Sequence, residues 1–191
     1  MFQDNGGENV EKEKELIKRV KEGDQRAFEE LYRKYADYAL RVAAAITRSE
    51  TSAADAVQET FIRVYHYIVD FDLSRPFQPW FYRILINECN RLMKNRAKTV
   101  SISNYLENDM NFARDDIHEF EEYEVLYKAI GRLEDINRIP IVLKYLKGFT
   151  EAEIAEILGI KQNTIKSRLY KGRQKLRAYM EKFTERRREN G

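Results

Sequence analysis

Apolar positions recur at spacings of three and four along most of the chain, and no stretch shows a run of alternating β-branched residues. That period belongs to helices with one buried face. Residues 9–21 form a short charged helix with Leu16, Ile17 and Val20 as its apolar edge, behind a frayed tail at 1–8. Gly23 ends that helix and Asp24 caps the next. The second helix runs from residue 25 to about 48, with Phe28, Leu31, Tyr32, Tyr35, Tyr38, Ala39 and Val42 inside. A third, capped by Thr51 or Ser52 and reaching about Val69, carries Val57, Phe61, Val64, Tyr65 and Ile68 on its stripe. A loop follows at 70–78, and Pro79 suits the first turn of a fourth helix ending near Lys98. There Phe81, Ile84, Leu85, Cys89 and Leu92 face inward.

The period lapses over 99–118, which reads as a linker, although Leu106, Met110 and Phe112 are more apolar than a free linker requires. It resumes over 119–133 (Phe120, Tyr123, Leu126, Tyr127, Ile130) and over 136–147 (Ile141, Val142, Tyr145, Leu146). Pro140 makes the latter helix either start late, near Arg138, or kink. Gly148 stops it. Thr150 with Glu153 is a capping box for the next helix. Ile154, Ala155, Ile157 and Leu158 stripe that helix, Gly159 supplies a positive-φ reversal, and Ile165, Leu169, Gly172 and Leu176 stripe a final one. The fold class is all-α, in two small helical domains joined by a flexible linker.

Composition narrows the function. The 191 residues are 43% hydrophobic and 35% charged, with 3 Pro, 8 Gly, 1 Cys and 2 His. One cysteine excludes a disulfide framework, and Cys89 with His66 and His118 makes no metal-ligand cluster. No Ser/His/Asp or phosphate-loop constellation occurs, so neither catalysis nor a cofactor is expected. No apolar run approaches the ~20 residues a bilayer span needs, and the polar opening is not a signal peptide; a cytoplasmic protein without membrane insertion is the expectation. The net charge of +2 conceals a polarity. Residues 161–191 hold eleven Lys/Arg and three Glu, whereas 104–124 hold eight Asp/Glu and one Arg. A basic end of this kind points to a polyanion.

The last two helices say which polyanion. Opposite its apolar stripe, the final helix carries Gln162, Asn163, Lys166, Ser167, Tyr170, Lys171, Gln174 and Lys175. Amides and hydroxyls at its N-terminal end suit base edges, and cations further along suit phosphates, the pattern of a DNA-binding helix-turn-helix. The fourth helix has a second polar stripe, Trp80, Arg83, Asn87, Asn90 and Lys94, flanked by Arg91 and Arg96.

Three stretches together carry a resemblance. DAVQETF at 55–61 is similar to region 2.2, and PWFYRILIN at 79–87 to regions 2.3–2.4, of the extracytoplasmic-function (ECF) sigma factors, group IV of the sigma-70 family. LKYLKGFTEAEIAEILGIKQNTIKSRL at 143–169 resembles their region 4. The likeness covers about 14–98 and 119–180. Three departures stand out: Leu133-Glu134 where the family usually has Leu-Pro, the rare Pro140, and Lys161-Gln162-Asn163 in place of Pro-x-Gly.

The resemblance implies a factor that binds core RNA polymerase, directs it to promoters and helps melt them. It implies domains at 15–98 (polymerase and −10 element) and 119–182 (−35 element), with an extension at 1–14, a linker at 99–118 and a basic tail at 183–191. Asp55, Gln58, Glu59 and Ile62 would meet core polymerase. Phe71, Asp72, Ser74, Arg75, Phe77 and Trp80, with Arg83, Asn87, Asn90, Arg91 and Lys94, would hold the single-stranded −10 element; bases drawn from the stack need an aromatic pocket with polar groups at their edges. Thr150, Gln162, Asn163, Thr164, Lys166, Ser167, Arg168, Lys171, Arg173 and Lys175 would contact the −35 duplex. An anti-sigma partner is implied, and a monomer when free. A helix-turn-helix regulator that binds duplex DNA without polymerase would explain 119–180 but not the first two stretches. A helical interaction module would leave the basic end a solvated face.

Overall fold

A computed structural model describes residues 5–100 and 120–189, with side chains at 10–96 and 126–182. Among the described residues the chain forms eight α-helices: α1 (Asn5–Lys21), α2 (Gln25–Thr47), α3 (Glu50–Tyr67), α4 (Phe77–Val100), α5 (Phe120–Gly131), α6 (Asp135–Tyr145), α7 (Glu151–Leu158) and α8 (Gln162–Glu189). A 3-10 turn, Ile68–Asp70, extends α3. The linker expected at 99–118, including Leu106, Met110 and Phe112, lies almost wholly outside the described residues.

The helix ends follow local chemistry. Asp24 accepts from the amides of Arg26 and Ala27 and caps α2. Arg19 donates to the same carboxylate at 2.6 Å, and this bond, with the amides, holds Asp24 below the usual carboxylate range. The capping therefore persists at neutral pH and is lost as pH falls through the lowered value. Gly23, Gly148 and Gly159 take the positive φ expected of them (88°, 76° and 64°). Ser49, rather than Thr51 or Ser52, caps α3, two or three residues earlier than the sequence suggested. α1 runs without a break from Asn5, and its Glu13 accepts from Tyr35 at 2.7 Å.

The first unit, α1–α4, closes on an aromatic core. Tyr35, Phe61, Phe77 and Phe81 meet at ring-centroid distances of 4.9–5.4 Å, geometry that favours edge and tilted contacts. Leu31, Ala39, Val64, Leu85 and Cys89 are fully buried around them. Burial raises the Cys89 thiol to about 12. Four tyrosines placed inside by periodicity lie outside: Tyr32, Tyr38, Tyr65 and Tyr145 are all about half exposed. Tyrosine packs a ring and keeps its hydroxyl wet, so a border position satisfies it better than a core one.

The second unit, α5–α8, packs α8 across α6. Pro140 lies inside α6, which begins at Asp135 rather than near Arg138. The missing N–H forfeits only the bond to the first-turn carbonyl of Ile136. Gly172 lets α8 approach closely: a Cβ there would stand 2.7 Å from Ile141 Cγ1 and 3.6 Å from the Asn137 carbonyl oxygen. The two units are in contact. Tyr82, the neighbour of Phe81 on α4, is fully buried against Phe149 of the second unit, with ring centroids 5.3 Å apart.

Gly172→Val should overpack this crossing and lower stability by about 1–3 kcal/mol. Urea denaturation of the two proteins checks it, and an unchanged midpoint would show that the crossing has room.

Candidate nucleic-acid interface

The helix-turn-helix is built from short-range bonds. The Thr150 hydroxyl accepts from the Glu153 amide at 3.2 Å, and the Glu153 carboxylate accepts from the Thr150 amide at 2.7 Å. After the eight residues of α7, Gly159 reverses the chain in the left-handed region, and the Ile160 amide bonds back to the Ala155 carbonyl at 3.1 Å. Lys161 then occupies the position before α8. Its side chain has no acceptor, so the first amides of α8 gain no cap from it.

The two faces of α8 separate cleanly. Ile165 and Leu169 are fully buried. Gln162, Asn163, Thr164, Lys166, Ser167, Lys171 and Arg173 are exposed, and Arg168 and Lys175 are half-buried. Of the ten residues expected at this interface, Lys175 is engaged within the protein: it donates to Glu134 at 2.9 Å and holds that carboxylate below its usual range. Glu134 is the residue that stands where a proline is usual, so this departure binds the start of α6 to α8. Ser167 donates to the Asn163 carbonyl at 3.1 Å. Thr150 is exposed at the N-terminus of α7.

In the first unit, Asp55, Gln58 and Ile62 are exposed along α3, and Glu59 is half-buried. Tyr65, one turn from Ile62, is 57% exposed, and Tyr32 of α2 lies against Phe61 at 4.6 Å with 47% exposure. These two rings add an apolar element to that face which periodicity had hidden in the core. The signal available was the amphipathic character of tyrosine.

The loop before α4 is ordered differently from an open base pocket. Phe71 and Phe77 are buried, packed on each other at 5.5 Å, and Trp80 covers Phe71 at 4.9 Å. They support the loop from beneath, and their rings are not available to a base in this conformation. Lys21 holds the Phe71 carbonyl from α1. Asp72, Ser74 and Arg75 form the exposed tip, an Asx-turn in which the Asp72 carboxylate accepts from the Ser74 amide at 2.9 Å. The side-chain hydroxyl and amide of Ser74 keep Asp72 below its usual range.

Along α4, Asn87 and Lys94 are exposed and Asn90 is half-buried. Arg83 is exposed but donates to the Glu156 carbonyl of α7. Arg91 is drawn into an acid-base cluster: Glu88, 3% exposed, receives Arg91 at 2.7 Å and pairs with Arg63 of α3. The bond to Glu88 raises the Arg91 guanidinium above its ordinary value. Glu88 was invisible to the stripe argument, because a buried carboxylate is legible only once both arginines are seen beside it. Among the described residues no group of three or more His, Cys, Asp or Glu could hold a metal ion, and no helix is long and apolar enough to cross a membrane.

Comparison with known proteins agrees with this two-part layout. Residues 31–99 match the family model of Sigma-70 region 2, and residues 123–176 that of Sigma-70, region 4. The ECF RNA polymerase sigma factor SigW of Bacillus subtilis is 34% identical over 176 residues, covering 86% of this chain and 94% of SigW. The ECF RNA polymerase sigma factor SigM of the same organism is 31% identical over 152 residues, covering 78% and 93%. Among solved structures, CnrH in complex with the cytosolic domain of CnrY superposes with a TM-score of 0.68 at 27% identity, covering 88% of this chain and 96% of CnrH. An all-α chain with a capped helix-turn-helix behind a region 2 unit is a sigma-70-class transcription initiation factor. The chain belongs to the ECF sigma factors of that family.

Glu88→Ala should cost about 1–2 kcal/mol, because both arginines it joins are partly solvated and can rehydrate. Glu88→Gln should recover part of that loss. Denaturant melts of both variants check the order; equal stability of all three proteins would remove the cluster from any structural role.

Proposed function

We propose that this ECF sigma factor divides its work between three surfaces. The exposed face of α3 (Asp55, Gln58, Ile62, with Glu59) docks on core RNA polymerase, and Tyr32 and Tyr65 widen the contact. The loop tip Asp72–Arg75 and the polar stripe of α4 take the single-stranded −10 element. The exposed face of α8 reads the −35 duplex. The observation that carries this is the clean division of α8: amides and hydroxyls are exposed on its first turns, cations lie further along, and the opposite side is sealed in the core.

The −10 surface works through polar edges and phosphates in this conformation, since Phe71 and Phe77 are internal. Base stacking there requires Trp80 or the loop to move. The protein performs no covalent chemistry, binds no cofactor, and acts in the cytoplasm where its polymerase is. A second protein controls it as an anti-sigma factor; the solved complex of CnrH with CnrY, at 27% identity, supports such a partner. The domain limits that fit this division are 15–98 and 119–182, with 1–14, 99–118 and 183–191 outside them.

In vitro transcription tests the whole reading. Core polymerase plus this protein should yield a promoter-dependent run-off product, and the protein without core should bind promoter weakly. Absence of product on every cognate promoter candidate would sink the reading. Within it, Lys171→Gln should weaken binding to all sequences and lower the salt slope by about one unit. Gln162→Ala and Asn163→Ala should instead change sequence preference, by about 1–3 kcal/mol at the base pair each one reads. Equal losses on all promoters for both kinds of variant would contradict the division of roles.

A further inference from the structure

Lys175 is one of the cations placed to meet the DNA backbone, and within the protein it already holds an anion. Its ammonium donates to the Glu134 carboxylate at 2.9 Å, across 41 residues of sequence. Among the described residues, Lys166, Arg168, Lys171 and Arg173 of the same helix have no carboxylate at ion-pair distance. The bond to Lys175, helped by the charge of Lys171, keeps the Glu134 carboxyl below its usual range, so it is an anion at neutral pH.

Glu134 is held in place by its backbone and not by this pair. It precedes α6 with φ −62° and ψ 146°, and its carbonyl accepts from the amides of Asn137 at 2.9 Å and Arg138 at 2.8 Å. A carboxylate is favoured at a helix start, but this one makes no bond to the amides of α6. It reaches to α8 instead. A φ of −62° is also the value a proline ring imposes. The Leu-Pro usual in the family would therefore suit the same backbone and leave out the anion.

The place of Lys175 along α8 says what it can touch. It lies about 20 Å along the axis from Gln162, at about 1.5 Å per residue. The major groove is only about 12 Å wide. With the first turns of α8 in the groove, Lys175 is past its edge and over phosphates. A carboxylate oxygen and a phosphate oxygen offer its ammonium the same charge-assisted bond. Both side chains are solvated, Lys175 at 40% and Glu134 at 69% exposure. An exposed pair of this kind is strong enough to compete with a phosphate and too weak to exclude one.

We propose that Glu134 is a built-in phosphate mimic: it occupies Lys175 in the free protein and has to be displaced by the DNA backbone, which weakens the hold of α8 on every duplex. Phosphate contacts carry no sequence information, so the order in which promoters are preferred is untouched. The inference rests on the reading of α8 as the −35 surface and assigns the strength of that surface to a residue outside it.

Fluorescence anisotropy of the full chain on a labelled duplex of arbitrary sequence, over a range of salt, tests it. Glu134→Gln should tighten binding about two- to fivefold, the strength of an exposed pair. It should also steepen the fall of log affinity with log salt by up to about one unit. Glu134→Pro, which keeps the backbone, should do the same. Adding Lys175→Gln should abolish the gain, because the freed ammonium is what meets the phosphate. Denaturation midpoints of the two single variants should stay close to wild type. Unchanged affinity in both variants overturns the proposal. So does a gain that survives Lys175→Gln, which would mean plain repulsion between Glu134 and DNA, or a loss of affinity with a lowered midpoint, which would make Glu134 a fastener of α6. Lys171→Gln without effect on duplex binding would instead remove α8 from the DNA surface, so the two failures are told apart.

Discussion

Every α-helix ends in carbonyl oxygens that its own backbone cannot satisfy, and in an all-helical protein this constraint falls on each corner of the fold. This chain meets it in two ways. Where a helix turns back on its own unit, a glycine in the left-handed region lets the chain bond to itself, as Gly159 does behind α7. Where a helix ends against the other unit, an arginine is brought to it, and α7 uses both devices, since Arg83 donates to its Glu156 carbonyl. Arg138 is the extreme case, a guanidinium with no exposed surface whose two terminal nitrogens reach Ile46, Leu133 and Asp135. Burial pulls its pKa down while Asp135 pulls it up, and it remains a cation because arginine starts so high.

The parts of the fold legible in the sequence are those decided within a few residues. Asp24, the Thr150–Glu153 box and the glycines at 23, 148 and 159 do what local chemistry demands. The apolar stripes of α1 and α8 were also plain, because each helix buries one face only. What escaped was decided at long range. Tyr82, Ile86 and Glu88 are buried on a side of α4 that periodicity treated as neutral; Tyr82 meets Phe149, distant in sequence, and Glu88 pairs with two arginines. No pattern within α6 reveals that Arg138 lies inside, because one of its acceptors, the Ile46 carbonyl, is 92 residues away.

The same division holds for the functional surfaces. The helix-turn-helix could be read as a unit because its cap, its turn and its two faces are contiguous. The −10 surface could not. An aromatic loop beside an amide stripe has the composition of a base pocket, but composition does not say whether the rings point outward or prop the loop from within. Here Phe71 and Phe77 prop it, and the exposed tip is polar. The tyrosines erred in the opposite direction: Tyr32 and Tyr65 were assigned to the core and widen the outer face of α2 and α3.

The burial of Cys89 has a consequence of another kind. It is the only sulfhydryl in the chain, fully enclosed, and held in its protonated form at any physiological pH by a pKa near 12. Oxidants act on accessible thiolates. The folded protein is therefore chemically silent toward peroxide and disulfide exchange at cysteine, and an oxidative signal has no route into it through this residue.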